Sequence, residues 1–158
     1  MHPNQEKLKQ FYSAFNEKHA EAMAGFYHPD AVFNDPVFQN LKGVEIGMMW
    51  KMLCLQSTSL EIRAENFQAD EESGQADWTA SYAFGKSHRK VHNRIHAEFK
   101  FKNGQIIQHI DHFDFWKWSR MALGPLGFLM GWNSVVKVNI QKQARVNLTK
   151  FITNTKKT

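Results

Sequence analysis

At 158 residues, with 42% hydrophobic and 13% aromatic content, the chain is long enough for one buried core and too apolar for a disordered segment. Twenty Lys and Arg against fifteen Asp and Glu give a net charge of +5, with three lysines in the last nine residues, a balance that suits solubility better than nucleic-acid binding. The single cysteine, Cys54, excludes an internal disulfide, no run reaches membrane-spanning length, and Met1 to Gln5 carries no apolar signal region, so a cytoplasmic protein without a membrane partner is expected.

Asn4 is placed to cap a helix over residues 5–17, with Leu8, Phe11, Tyr12 and Phe15 along one side. A short second helix is expected over 20–26. Tyr27 to Phe38 then reads as a turn into a short strand ended by Pro36. Gly43 opens a methionine-rich third helix to about Leu55 that carries Trp50, and Cys54 in its apolar run reads as a buried structural thiol. Strands follow over 60–67 and 75–84, the latter with Trp78, Ala80, Tyr82 and Phe84 on one face.

The hairpin from Val91 to Trp118 carries the chemistry. Its first arm puts Val91, Asn93, Ile95, Ala97, Phe99 and Phe101 on one face and charged residues on the other. A two-residue Asn103-Gly104 loop would pair Phe101 with Ile106 and turn His109 and Asp111 away from the core. A three-residue loop pairs Phe101 with Gln105, sets Phe99 opposite Ile107, Ala97 opposite His109 and Ile95 opposite Asp111, with Phe113 beside Asn93. The second register is expected, and its consequence is that an imidazole and a carboxylate point together into an otherwise apolar interior. Such groups are expensive to bury idle. His92 and His96, on the outer side, read as surface residues, and no metal site is expected.

Beyond the hairpin, residues 115–123 look helical, and 124–132 form a short apolar linker broken by glycines. Ser134 opens a last helix with Val136, Ile140, Ala144, Leu148 and Phe151 in one stripe. This extension, 117–152, is expected to cover a pocket or a subunit contact, with attachment to a membrane surface the weaker reading of its apolar run. Helices first and strands after make an α+β domain, a curved antiparallel sheet with helices laid on its concave face, and the whole of 1–158 is read as one domain.

Phe26 to Val37 with its Asn34-Asp35-Pro36 stretch, Gly43-Val44-Glu45 opening a helix, and the ending Gly104-Gln105-Ile106 to Phe115 resemble the SnoaL-like, ketosteroid isomerase-like branch of the nuclear transport factor 2-like superfamily. The likeness spans roughly residues 5–116. It implies a cone-shaped, cystatin-like fold with a deep pocket, and a superfamily that hosts isomerases, cyclases, epoxide hydrolases and binding modules. In the steroid isomerases the aspartate before that proline is the general base, a position held here by Asp35. Their oxyanion tyrosine falls on Phe11 in an ungapped match, with Tyr12 next door, and their protonated oxyanion aspartate falls near Ala97 or His96. The run Gln108 to Asp114 also resembles limonene-epoxide hydrolases, with Asp111 at the water-activating position. The Arg-x-Asp those enzymes carry in an earlier strand is absent from Asp77-Trp78-Thr79.

The candidate catalytic groups are therefore Asp35, Asp111 and His109, with Tyr82, Trp78, Asn93, Phe113, Tyr12 and Trp50 as candidate substrate contacts and no cofactor required. Two readings stay open. In one, Asp35 or Asp111 takes a proton from carbon next to a carbonyl or activates water, while His109 and Tyr82 hold the oxyanion. In the other, the domain binds a small apolar ligand without chemistry. The outer sheet face, with Thr79, Ser81, His92, Arg94, His96 and Ile110, is the expected homodimer surface.

Overall fold

In a computed structural model, residues 1–57, 59–125 and 133–158 are described. The order is α1 (Pro3–Asn16), α2 (Ala20–Ala24), β1 (Tyr27–Asn34), β2 (Leu41–Lys42), α3 (Val44–Gln56), β3 (Glu61–Ala69), β4 (Ser73–Phe84), β5 (Arg89–Lys102), β6 (Gln105–His112), α4 (Phe115–Leu123) and α5 (Ser134–Lys156). The expected elements are present in kind and sequence, with ends moved by a few residues, and the short strand β2, paired with β1, is an addition that was not expected. The linker at 126–132 lies outside the described residues.

The six strands form one sheet in the order β2-β1-β6-β5-β4-β3. It is an α+β architecture with helices against the concave face, as expected, but one pair departs from the all-antiparallel reading: β1 runs parallel to β6. Those two strands are far apart in the chain and joined by no hairpin, so nothing local forces them antiparallel.

α1 starts two residues earlier than Asn4 as cap would allow. The side chain of His2 accepts from the Asn4 N–H at 3.2 Å, and Pro3 occupies the first turn, where its missing N–H costs nothing. Asn4 is instead buried, and its amide donates to the carbonyls of Asp70 (2.9 Å) and Glu71 (3.3 Å), tying the helix to the β3–β4 turn. The helical stripe Leu8, Phe11, Tyr12 and Phe15 is fully or almost fully buried, as are Ile46, Met49 and Trp50 of α3. Replacing a ring such as Phe11 by alanine in so closed a core typically costs about 3–5 kcal/mol.

The hairpin reaches the expected facing by an unexpected route. Lys102 pairs with Gln105, so Asn103 and Gly104, at φ 51° and 74°, form the two-residue loop, and Phe101 pairs with Ile106. A bulge then intervenes. Lys100 pairs with Gln108, leaving Ile107 as the extra residue, and Phe99 faces His109 while Ala97 faces Asp111. The expected partners of His109 and Asp111, Ala97 and Ile95, are thus each displaced by two positions. One inserted residue restores the parity that the short loop would have inverted, and His109 and Asp111 are buried beside Phe99.

Candidate functional site

Two strands and two helices converge on His109. Its ring is fully buried, 4.3 Å from the Phe99 ring and 4.9 Å from that of Phe33. An imidazole enclosed this way needs both nitrogens satisfied. Nδ1 lies 2.7 Å from the Tyr27 hydroxyl and Nε2 lies 2.9 Å from Asp111 Oδ1. The flanking indoles set the direction of this chain. Trp50 Nε1 donates to the Tyr27 oxygen at 3.1 Å, and Trp78 Nε1 donates to Asp111 Oδ1 at 3.3 Å. Because an indole N–H only donates, Tyr27 keeps its own proton for His109 Nδ1, and His109 presents Nε2–H to Asp111 Oδ1.

The register of β1 explains why Tyr27 takes part. Tyr27, Ala31 and Phe33 share the buried parity of that strand, and an irregularity between Tyr27 and Val32 adjusts the pairing with β6. Sequence reasoning missed Tyr27, although the alternation back from Phe33 and Ala31 was the signal for it. Burial, only partly offset by the hydrogen bond from Trp50, raises its phenol well above the ordinary tyrosine value.

Tyr12, on the same buried side of α1 as Phe11, is 3% exposed, and its hydroxyl has no hydrogen-bond partner among the described residues. Burial first, and then the nearby charge of Asp111, push its pKa well up, so it stays a neutral O–H donor. Asp111 takes both of its bonds on Oδ1, leaving Oδ2 without a hydrogen-bonding partner among the described residues. An unpaired donor and an unpaired acceptor therefore face one interior, beside Trp78, whose ring lies 5.6 Å from that of Tyr12.

Nearer the surface, Asp35 is half-buried in the turn after β1. Its Oδ1 accepts from the N–H groups of Val37 (2.7 Å) and Phe38 (2.6 Å), the turn chemistry that an Asp before proline favours. Burial outweighs these bonds, and the charge of Asp111 adds to it, so that the carboxyl is pushed up to about 7. Oδ2 makes no hydrogen bond among the described residues. Tyr82 is raised by burial, with a further push from the charge of Asp35, and its oxygen accepts from Trp118 Nε1 at 2.9 Å. Phe113 packs beside Trp118, at 6.4 Å between rings. The extension reaches this rim a second time: Gln141 Nε2 of α5 donates to the Pro36 carbonyl at 2.9 Å.

The structure thus groups Asp111, His109, Trp78 and Tyr12 in an inner cluster, and Asp35, Tyr82 and Phe113 at an outer rim, with the charges of Asp35 and Asp111 sensing each other. Asn93 is 8% exposed on the same sheet face, two residues from Ile95. Trp50 stands apart from the rim, on the far side of His109, where it braces Tyr27. Asp77 belongs to neither, because its side chain lies on the outer face against His96 at 2.6 Å, and that bond lowers its pKa. Two clefts of the described residues lie elsewhere: about 520 Å³ on the outer sheet face between Gln75, Lys100 and Gln108, and about 220 Å³ between Phe38 and α5.

The sequence matches the SnoaL-like domain family over residues 8–109. No curated protein matches it. Among solved structures, a nuclear transport factor 2-like protein of unknown function from Burkholderia pseudomallei superposes with a TM-score of 0.67 at 16% identity, over 77% of this chain and 98% of that one. A putative SnoaL-like polyketide cyclase from Jannaschia gives 0.67 at 14% identity, over 78% and 93%. An epoxide hydrolase of the limonene-epoxide type from M. tuberculosis gives 0.64 at 16% identity, over 80% and 94%. At these identities the likeness is one of fold. The matched family region stops short of Asp111, α4 and α5.

Proposed function

The chain belongs to the SnoaL-like domain family, and from that premise we propose that it is an acid–base enzyme acting on a small apolar carbonyl compound by isomerisation or cyclisation, without need of a cofactor. The observation that carries this reading is the pair of carboxylates, Asp35 and Asp111, each with an oxygen free of hydrogen bonds, around an aromatic interior that also holds the unpaired Tyr12 hydroxyl. A passive apolar site gains nothing from such groups.

In the proposed step Asp35 Oδ2 takes the proton from carbon next to the carbonyl. The electron pair of that C–H bond moves into the carbon framework, and the carbonyl oxygen becomes an enolate oxygen held by the Tyr12 O–H. Asp35 then returns the proton to another carbon, or the enolate carbon attacks a second carbonyl to close a ring, the π pair of that carbonyl moving onto its oxygen and the resulting alkoxide taking the proton back from Asp35. A carboxyl near 7 suits this work, since a general base is most effective when its pKa lies near the working pH. His109 cannot itself hold the oxyanion, because both ring nitrogens are already engaged. It acts instead through Asp111, fixing that carboxylate so that Oδ2 faces the substrate. Tyr82, its oxygen already accepting from Trp118, has its own proton available as a second donor at the rim.

The test is turnover of a panel of cyclic ketones, epoxides and polyketide-like polyketones by the wild type and by Asp35→Asn. A drop of at least about 100-fold in the chemical step with ligand affinity held within a few-fold supports the reading. The binding-module alternative draws support from the closure of the inner cluster, where His109, Asp111, Trp78 and Tyr12 are each under 9% exposed. It predicts tight binding and no turnover across the whole panel. We further propose a homodimer through the outer sheet face, where Asp77, His96 and His112 stand in one row across three strands and His112 pairs with Glu98 at 2.9 Å. Light scattering at micromolar concentration should give twice the chain mass, and a monomer would refute it.

A further inference from the structure

The helix α5 covers one side of the domain with little of its own surface. Of its 23 residues only Leu148 is fully enclosed, with Ala144, Phe151 and Ile152 packed against the core beside it. Residues 133–158 hold six Lys and Arg and no Asp or Glu, more than the net charge of the entire chain, so the remainder of the protein is slightly acidic. Charge of one sign confined to one helix is a local field, unlike an evenly basic surface.

Not all six cations are free. Arg145 pairs with Glu45 of α3 at 2.6 Å, and Lys137 lies over the Phe115 ring at 5.4 Å. Lys142, Lys150, Lys156 and Lys157 are exposed and make no side-chain hydrogen bond or ion pair among the described residues. Val135, Val138, Lys142, Val146, Lys150, Thr153 and Lys157 recur every three or four residues along one outward stripe of the helix, with Lys156 beside its end, so that the valines occupy its first half and most of the lysines its second. Val135, Val138 and Val146 are 65%, 44% and 45% exposed. Exposed β-branched residues are poor helix formers, so helix propensity does not account for their presence here. The stripe runs about 30 Å at 1.5 Å per residue.

We propose that this outward face of α5 docks on an anionic lipid surface, its lysines against the headgroups and its valines in the interfacial layer. Three observations choose that occupant. A second copy meeting the same face about a two-fold axis would set lysine against lysine, which repels. A nucleic acid would match the lysines but leave the three valines against phosphate. An interface of lipid headgroups satisfies both residue types at once. The expectation of no membrane partner rested on the lack of a run of membrane-spanning length and on the short, glycine-broken apolar run at 124–132, whereas the helix face in question is a different surface. No helix among the described residues is long and apolar enough to cross a membrane, so the contact proposed is peripheral. It is independent of the catalytic reading, although α5 does lie over the turn that carries Asp35.

Co-sedimentation of the full chain with vesicles tests it. Vesicles of phosphatidylcholine with half phosphatidylglycerol should pull down most of the protein at 50 mM NaCl, and pure phosphatidylcholine almost none. Raising NaCl to 500 mM should release it, since screening then acts over a few ångströms. At about fivefold per lysine, the triple change Lys142→Gln, Lys150→Gln, Lys156→Gln should weaken binding on the order of 100-fold. Val135→Ser with Val146→Ser should weaken it several-fold with the salt dependence unaltered. Circular dichroism checks that α5 persists, and Lys150→Glu alone serves if the triple variant loses helix. Equal binding to both vesicle types, no binding to either, indifference to the lysine changes, or tighter binding to a short DNA duplex than to anionic vesicles would each overturn the proposal.

Discussion

Replacing Asp35 by asparagine should make the protein more stable while making it inactive, and the size of the gain follows from the geometry. The carboxyl sits at about 7 in the fold against a reference of 3.8. A folded value above the unfolded one means that the native state holds its proton more tightly, so the group's contribution to stability is fully present below about pH 4 and is lost as pH rises towards 7. The full shift corresponds to about 4 kcal/mol at 1.36 kcal/mol per pH unit, an upper bound that partial exposure and water reduce to on the order of 1–3 kcal/mol. Asparagine keeps the Oδ1 that accepts from Val37 and Phe38, so the turn survives the change. Urea unfolding of both proteins should therefore coincide near pH 4 and separate progressively to pH 8, with Asp35→Asn the more stable by that amount and a Tm several degrees higher. A gap independent of pH, or an asparagine variant less stable at pH 8, would show that the carboxyl is not strained by burial.

Two further substitutions probe the inner cluster. Tyr12→Phe deletes a buried hydroxyl that bonds to none of the described residues, so stability should rise by up to about 1 kcal/mol while turnover falls about 100-fold; a clear loss of stability in thermal unfolding would mean that the hydroxyl serves the fold. Tyr27→Phe leaves the Trp50 N–H and His109 Nδ1 both unpaired, and should cost about 2–4 kcal/mol in urea unfolding, with a cost under about 0.5 kcal/mol contradicting the hydrogen-bonded chain described above.

The elements were legible because each has a simple period: Leu8, Phe11, Tyr12 and Phe15 for α1, and alternate residues from Val91 to Phe101 for β5. What failed were features that depend on a partner strand. The parallel pairing of β1 with β6 leaves no mark on either strand alone, and the bulge at Ile107 arises because only an inserted residue reconciles an Asn103-Gly104 loop with a buried His109. The inward facing of His109 and Asp111 followed from the expected register, although the three-residue loop behind that register is not the one observed. The site reading suffered likewise. Asp35 and Tyr12 were visible as candidates by resemblance, whereas the hydroxyl of Tyr27 and the hold of Trp118 on Tyr82 join residues 82 and 36 positions apart. No local pattern signals such a bond. Trp50 was among the candidate substrate contacts, and the bond its indole N–H gives to Tyr27, 23 positions away, has no local signal either.

The most direct measurement of the central claim is exchange of the α-hydrogens of an apolar cyclic ketone in deuterated water, followed by NMR, because it reads proton abstraction without requiring the natural substrate. The account predicts exchange by the wild type well above buffer, rising with pH through about 7 as Asp35 ionises, and falling at least about 100-fold in Asp35→Asn with ketone affinity preserved. Ketone that binds the wild type and exchanges no faster than in buffer at any pH would contradict it.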